Sequence, residues 1–180
     1  MIWENIMIKR FYDLVLTNIL LVLLTVYPYT CCPSDGIGRK TGVCLRALDQ
    51  MGDVDVDKTK GVVVVHLWAS WCGYCRAEHL LWRDHLVRFD GVSYYGVTFR
   101  DKPAVAERYL ETQGDPFDRH LFLNAKHARK IGARVVPDTL VFVDGVLVQR
   151  YRGFMNKSSF DDQMLVKLSH TSESYAVSNQ

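Results

Sequence analysis

Apolar positions follow two different spacings along this chain, and the changes between them mark out its elements. GVVVVHLW, residues 61–68, is a short β-branched run of the kind found in a strand buried on both faces, so it belongs at the centre of a sheet. After CGYC, the segment AEHLLWRDHLVRF sets Leu80, Leu81, Leu86, Val87 and Phe89 among charged residues at helical spacing, with Gly91 as its stop. VSYYGVTF reads as a second strand, and Asp101 with Pro103 opens a helix through AVAERYLETQ that Gly114 closes. A short helix is expected near residues 124–132. TLVFV and VLVQRY then flank Asp144-Gly145, a strong hairpin signal. The last helix should start near Ser158 or Ser159, where Asp161 and Asp162 complement its N-terminus. Strands alternating with helices imply parallel pairing, and the hairpin adds antiparallel strands. The expected fold is α/β, a central mixed sheet flanked by helices.

The N-terminal pattern is different. LVLTNILLVLLTVY, residues 14–27, is apolar except for Thr17, Asn18 and Thr25, and Lys9 and Arg10 precede it. Extended from Phe11 to Tyr29, it reaches the roughly 20 residues that a spanning helix needs. Tyr27 and Tyr29 stand where a signal peptidase requires small residues, which favours an uncleaved anchor. The basic pair favours a cytoplasmic N-terminus, against a weaker vote from Arg39 and Lys40, and would leave the remainder outside the cytoplasm. Met7 is an alternative start, and a buried core helix at 14–27 is the alternative to export. The expected organisation is an anchor at 1–30, a linker and N-terminal strand region at 31–60, the catalytic domain at 61–170 and a flexible tail at 171–180. At 180 residues the chain has room for one domain with its own core. A net charge of +2, from 22 basic and 20 acidic residues without long like-charge blocks, gives no reason to expect nucleic acid.

Cys72 and Cys75, in WASWCGYCRAEH, carry the candidate chemistry. Haem attachment needs CxxCH, and Arg76 occupies the histidine's place. Zinc remains open, because Cys72, Cys75 and His79 share a helical face and His85 is nearby, yet structural zinc sites usually draw a second ligand pair from another segment. A reversible disulfide suits a strand-to-helix CxxC in an exported chain. No cofactor or metal is expected on that reading.

WASWCGYCRAEH, the later VVPDT and the GDPF after the middle helix resemble the DsbE/CcmG family, thioredoxin-like thiol:disulfide interchange proteins of bacterial cytochrome c maturation. The likeness runs from about Gly61 to the last helix. Two departures matter: Gly73-Tyr74 replaces the family's Pro-Thr between the cysteines, and Pro137-Asp138 replaces its Pro-Glu. They leave the fold intact and the redox potential open.

The resemblance implies a thioredoxin-like fold with Cys72 attacking and Cys75 resolving. Position agrees, since Cys72 precedes the helix and faces its free amides while Cys75 sits one turn inside. Glu78 opposes that stabilisation. A full charge about 8 Å off and a half charge about 4 Å off each contribute roughly 2 kcal/mol, with opposite signs, so no net thiol pKa follows. Glu78 is either a solvated acid or, as the family's active-site glutamate implies, a proton carrier for Cys75. His66 stands where ordinary thioredoxins keep a buried acid; it is either a base for Cys75 or a core histidine bonded to a carbonyl. Trp68 is expected in the core and Trp71 as a partly exposed lid. Thioredoxin-like proteins place a cis-proline opposite the CxxC, which implies a cis bond at Pro137, with Val136 offering backbone and Asp138 beside it in substrate binding. Cys31 and Cys32 follow the apolar segment, Cys44 is expected in a strand as a small core residue, and a Cys32–Cys44 link stays open.

The implied function is reduction of the CxxCH disulfide of apocytochrome c. Implied partners are apocytochrome c or haem-ligation proteins, and a membrane thiol-reducing carrier as electron donor. The implied location is the bacterial inner membrane, with the catalytic domain in the periplasm. A general periplasmic disulfide reductase or oxidant, a non-catalytic apoprotein-binding module, and a metal carrier are the alternatives.

Overall fold

A computed structural model describes Gly38, residues 40–47 and residues 52–178. The chain divides into two units, Met1–Ser34 and Asp35–Gln180, and all described residues belong to the second. The expected anchor, the alternative start at Met7, and Cys31 and Cys32 lie outside the described residues. No helix among the described residues is long and apolar enough to cross a membrane.

Seven strands form one sheet: β1 (Cys44–Ala47), β2 (Val54–Asp55), β3 (Val62–Trp68), β4 (Val92–Phe99), β5 (Arg119–Leu123), β6 (Asp138–Val143) and β7 (Val146–Arg152). Their order is β2-β1-β5-β4-β3-β6-β7. The valine-rich β3 is buried along its whole length, parallel to β4 on one side and antiparallel to β6 on the other. The mixed sheet expected from the alternation is therefore present. Sequence reading overlooked β5, where RHLFL carries Arg119 and His120, and β2, which is two residues long inside a polar stretch. Both are completed by partners: β5 lies between β4 and β1.

Among the described residues four α-helices accompany this sheet: α1 (Gly73–His85), α2 (Pro103–Gln113), α3 (Ala125–Lys130) and α4 (Val166–Ser178). α1 ends at His85, with Leu86 already extended as its C-cap, short of the expected stop at Gly91. Past that end, the Arg88 guanidinium reaches Asp118 and the Pro116 carbonyl at 2.6 Å each, tying the chain that leads into β4 to the segment before β5. α2 begins on Pro103 and ends at Gly114, whose φ of 88° suits a residue without Cβ. Asp101 does not cap α2. Its carboxylate accepts instead from the Ser70 backbone at 2.6 Å, tying the loop after β4 to the loop before the cysteines.

The Asp144-Gly145 turn has φ of 48° and 77° at its two residues, the type I′ geometry that matches strand twist. The last helical segment opens with a π-helical stretch, Ser159–Leu165. Asn156, rather than Ser158 or Ser159, caps it, accepting from Ser159 N at 2.9 Å. α4 runs through much of the region read as a flexible tail, held there by Tyr175, whose hydroxyl lies 3.2 Å from both Asp144 Oδ1 and Gly61 N.

Candidate active site

Alternation along β3 sets up the site. Val63, Val65 and Leu67 enter one core, while Val62, Val64 and Trp68 enter the other, on the side of α1. His66 shares the second side, its ring 4.8 Å from that of Trp82 and 5.8 Å from that of Phe117. Beyond Trp68 the chain turns and delivers Cys72 to the N-cap of α1.

Cys72 and Cys75 are joined as a disulfide. The Cys75 amide points at Cys72 Sγ from 3.1 Å, so the helix start directs a free N–H at the sulfur that would carry negative charge on reduction. Cys72 retains 6% exposure and Cys75 only 1%, which makes Cys72 the sulfur a partner can reach. Opposite it, the Val136–Pro137 bond is cis, and the Val136 carbonyl oxygen lies 3.7 Å from Cys72 Sγ.

A rim of exposed apolar side chains surrounds this pair. Trp71 is 60% exposed, and its indole N–H donates to the Arg100 carbonyl at 2.9 Å. Tyr74, from the dipeptide between the cysteines, is 69% exposed and sits 5.7 Å from the ring of Phe154. Phe154 had no signal in the sequence. It is placed by its neighbours, because Gly153 N donates to the Pro137 carbonyl and Met155 N to Glu78 Oε2, at 2.9 and 3.0 Å.

Glu78 is fully buried and follows Cys75 by one turn on the inner face of α1. Besides Met155 N, its carboxyl has Trp82 Nε1 at 3.4 Å and His66 Nδ1 at 3.9 Å. Burial pushes its pKa up to about 7, against the lowering effect of the Met155 and Trp82 hydrogen bonds. This excludes the solvated-acid reading. His66 is 2% exposed and pairs with Thr139 Oγ1 at 3.0 Å, a hydroxyl rather than a carbonyl. Burial, then the nearby His79, push it down to about 3, so the imidazole is neutral at physiological pH and its 3.9 Å approach to Glu78 is not an ion pair.

Two expected residues lie elsewhere. His79 donates Nε2–H to the Gly114 carbonyl at 2.9 Å, which removes that nitrogen from metal ligation. Among the described residues no group of three or more His, Cys, Asp or Glu side chains is arranged to hold a metal ion. Asp138, expected beside the substrate, is fully buried and shares the strand face of Leu140. Arg150 grips its carboxylate through Nε and Nη2, and reaches the Ile131 and Gly132 carbonyls at 2.6 and 3.2 Å. Asp138 is thus the anchor of the loop that carries Val136 and Pro137. Trp68 is in the core, as expected, and Cys44 lies in β1 as a half-buried free thiol.

A disulfide at a helix start, facing a cis-proline across the end of a mixed sheet, defines a thioredoxin-like protein. The model of the thioredoxin-like domain matches residues 50–166, and the chain belongs to that family. The chain is 37% identical to the thiol:disulfide interchange protein HelX of Rhodobacter capsulatus over 98 residues, 51% of each chain. It is 31% identical to the thiol:disulfide interchange protein DsbE homolog of Paracoccus denitrificans over 113 residues, 60% of each. The chain therefore spans between half and two thirds of the length of these relatives. A crystal structure of a Chlorobium tepidum protein assigned as thiol:disulfide interchange protein DsbE matches with a TM-score of 0.59 and 25% identity, over 73% of this chain and 97% of that one.

Proposed function

We propose that the protein is a thiol:disulfide oxidoreductase of DsbE type that reduces the CxxCH disulfide of an apocytochrome c. One observation carries the chemistry: the Cys72–Cys75 disulfide lies at the start of α1 with its more accessible sulfur, Cys72 Sγ, 3.7 Å from the Val136 carbonyl beside cis-Pro137. The resemblance to DsbE and HelX proteins supplies the substrate.

In the reduced protein, the Cys72 thiolate attacks one sulfur of the substrate disulfide. A mixed disulfide forms and the other substrate sulfur leaves as a thiolate. Cys75 then attacks Cys72 Sγ, closing the internal disulfide and releasing the second substrate sulfur. Two electrons pass to the substrate. A membrane dithiol carrier then reduces the Cys72–Cys75 disulfide and is itself oxidised to a disulfide, and the N-terminal anchor holds the domain on the periplasmic side of the inner membrane beside that carrier. Val136 offers its backbone to the extended substrate, and Trp71 and Tyr74 flank it.

Glu78 serves as the proton carrier for Cys75, because a carboxyl with a pKa of about 7 holds and releases a proton near neutrality. A histidine held near 3 is too weak a base for a thiol, so His66 acts as a positioning residue beside Glu78.

The test is Cys75→Ser expressed in the source cell. The account predicts a reductant-sensitive adduct through Cys72 that contains a cytochrome c CxxCH segment or a haem-ligation protein. Adducts with many unrelated exported proteins would indicate a general reductase, and the absence of adducts would indicate a binding module.

A further inference from the structure

On the Trp71 side of the disulfide the surface opens into a cleft of about 350 Å³ between the end of β4, β5 and α3. Its floor is apolar, formed by Phe99, Leu123, Ala128 and Ala133. Arg100 and Arg129 also line it, both exposed, and the Arg100 guanidinium lies 4.9 Å from the Phe99 ring centre. Exposed Arg134 directly follows Ala133 and precedes Val136 by two residues. Residues beside the cleft reach toward the disulfide: the carbonyl of Arg100 accepts from Trp71, next to Cys72, and Val136, which follows the lining Ala133, faces Cys72.

None of these three arginines forms an ion pair among the described residues. The nearby acids are engaged. Asp101 accepts from the Ser70 and Lys102 amides at 2.6 and 2.8 Å, and Asp138 is buried against Arg150. The cleft thus combines an apolar floor with guanidinium groups that hold no ion pair among the described residues, within one short loop of the sulfur that receives the substrate.

We propose that this cleft is a substrate subsite that selects disulfide-bearing polypeptide segments with a carboxylate side chain near the cysteine pair. The inference rests on the proposed exchange reaction and adds a specificity to it. An extended segment crossing Cys72 beside Val136 continues onto the cleft. There an Asp or Glu of that segment meets guanidinium groups suited to planar carboxylate recognition, while its methylenes cover the apolar floor.

The test compares three synthetic peptides, each with an oxidised CxxCH segment and differing only at the flanking position: Glu, Gln or Lys. With the full-length reduced chain, the Glu peptide should be reduced with a kcat/KM about tenfold above the Lys peptide, the Gln peptide lying between. Raising salt from about 0.05 to about 0.5 M should remove most of that advantage. The pair Arg100→Glu and Arg129→Glu, the two arginines that line the cleft, should reverse the preference, so that the Lys peptide becomes the faster one. Because preference within one protein preparation is read, a loss of overall activity in the variant does not mask the result. Equal rates for the three peptides would overturn the inference and leave the exchange reaction standing. If none is reduced, the exchange reading fails and takes the inference with it. Equal rates together with Arg-dependent retention on vesicles of phosphatidylcholine and phosphatidylglycerol would assign the cleft to a lipid surface instead.

Discussion

The two sides of β3 are equally buried and differ in chemistry. Toward β1, β5 and α3, the core is aliphatic and aromatic, with Val63, Val65, Leu67, Phe99, Leu121 and Leu140 at its centre. The charges buried by strand alternation on that side, Asp138 and Arg150, hold each other and the 131–132 carbonyls, so neither lacks a partner. Toward α1, the same strand contributes His66, and the helix contributes Glu78 and His79, none of them in a charged pair. The disulfide lies on this second side. Buried charge that is fully paired fixes a backbone position, whereas buried titratable groups left without counter-charge have displaced pKa values and can move protons. That difference separates scaffold from reaction centre within one layer of strands.

Breaking the paired side should have the largest effect on stability. Asp138→Ala strips Arg150 of its carboxylate in a site where both side chains are almost wholly buried. Removing one partner of such a pair costs about 3–5 kcal/mol, and here it also frees the loop bearing cis-Pro137. Denaturant unfolding of the oxidised protein measures it, and a loss below about 1 kcal/mol would contradict the clamp.

The unpaired side predicts a pH signature. Glu78 has a pKa raised from 4.5 to about 7, so its contribution to stability is complete below pH 4.5 and lost as pH rises through about 7. For His66 the shift runs from 6.5 down to about 3, so its contribution is complete above pH 6.5 and lost as pH falls toward about 3. Between pH 4.5 and 6.5 the two slopes nearly cancel in the unaltered protein. Glu78→Gln should uncover a stability that rises by about 1.4 kcal/mol per pH unit across that window, and His66→Asn one that falls by a similar amount. Slopes of the same sign in the two variants would contradict the assignment.

A smaller effect should follow from Gly96→Ala on β4. A Cβ there would collide with the ring of Phe117, which packs on His66 and Trp82. Overpacking of this kind costs about 1–3 kcal/mol, and should change the slope of stability with pH by moving Phe117 against His66. Thermal unfolding across pH checks both at once.

Much of this division is legible in the sequence. Period-two alternation in VVVVHLW already puts His66 on the side of Trp68, and the CGYC position follows from strand, turn and helix. The cis bond at Pro137 is implied by the family resemblance, because proline alone leaves cis a minor form. Other features depend on contacts distant in sequence. Asp138 meets Arg150 only once the hairpin sets its register, and Glu78 meets Met155 N across 77 positions. β5 and β2 lack the apolar alternation that would reveal them and are completed by their neighbours, whereas the strand expected at Cys44 is present as β1. Phe154, an isolated aromatic after a strand, acquires its place only from Gly153 and Met155 on either side.

The most direct test follows the sulfur atoms themselves. Full-length reduced protein, mixed with an oxidised CxxCH peptide and quenched with acid, can be read by mass spectrometry in the unaltered chain, Cys72→Ala and Cys75→Ser. The account predicts reduced peptide and a closed Cys72–Cys75 disulfide in the first, no exchange in the second, and a one-to-one covalent adduct at Cys72 in the third. Exchange that persists without Cys72, or an adduct carried by Cys44, would contradict it.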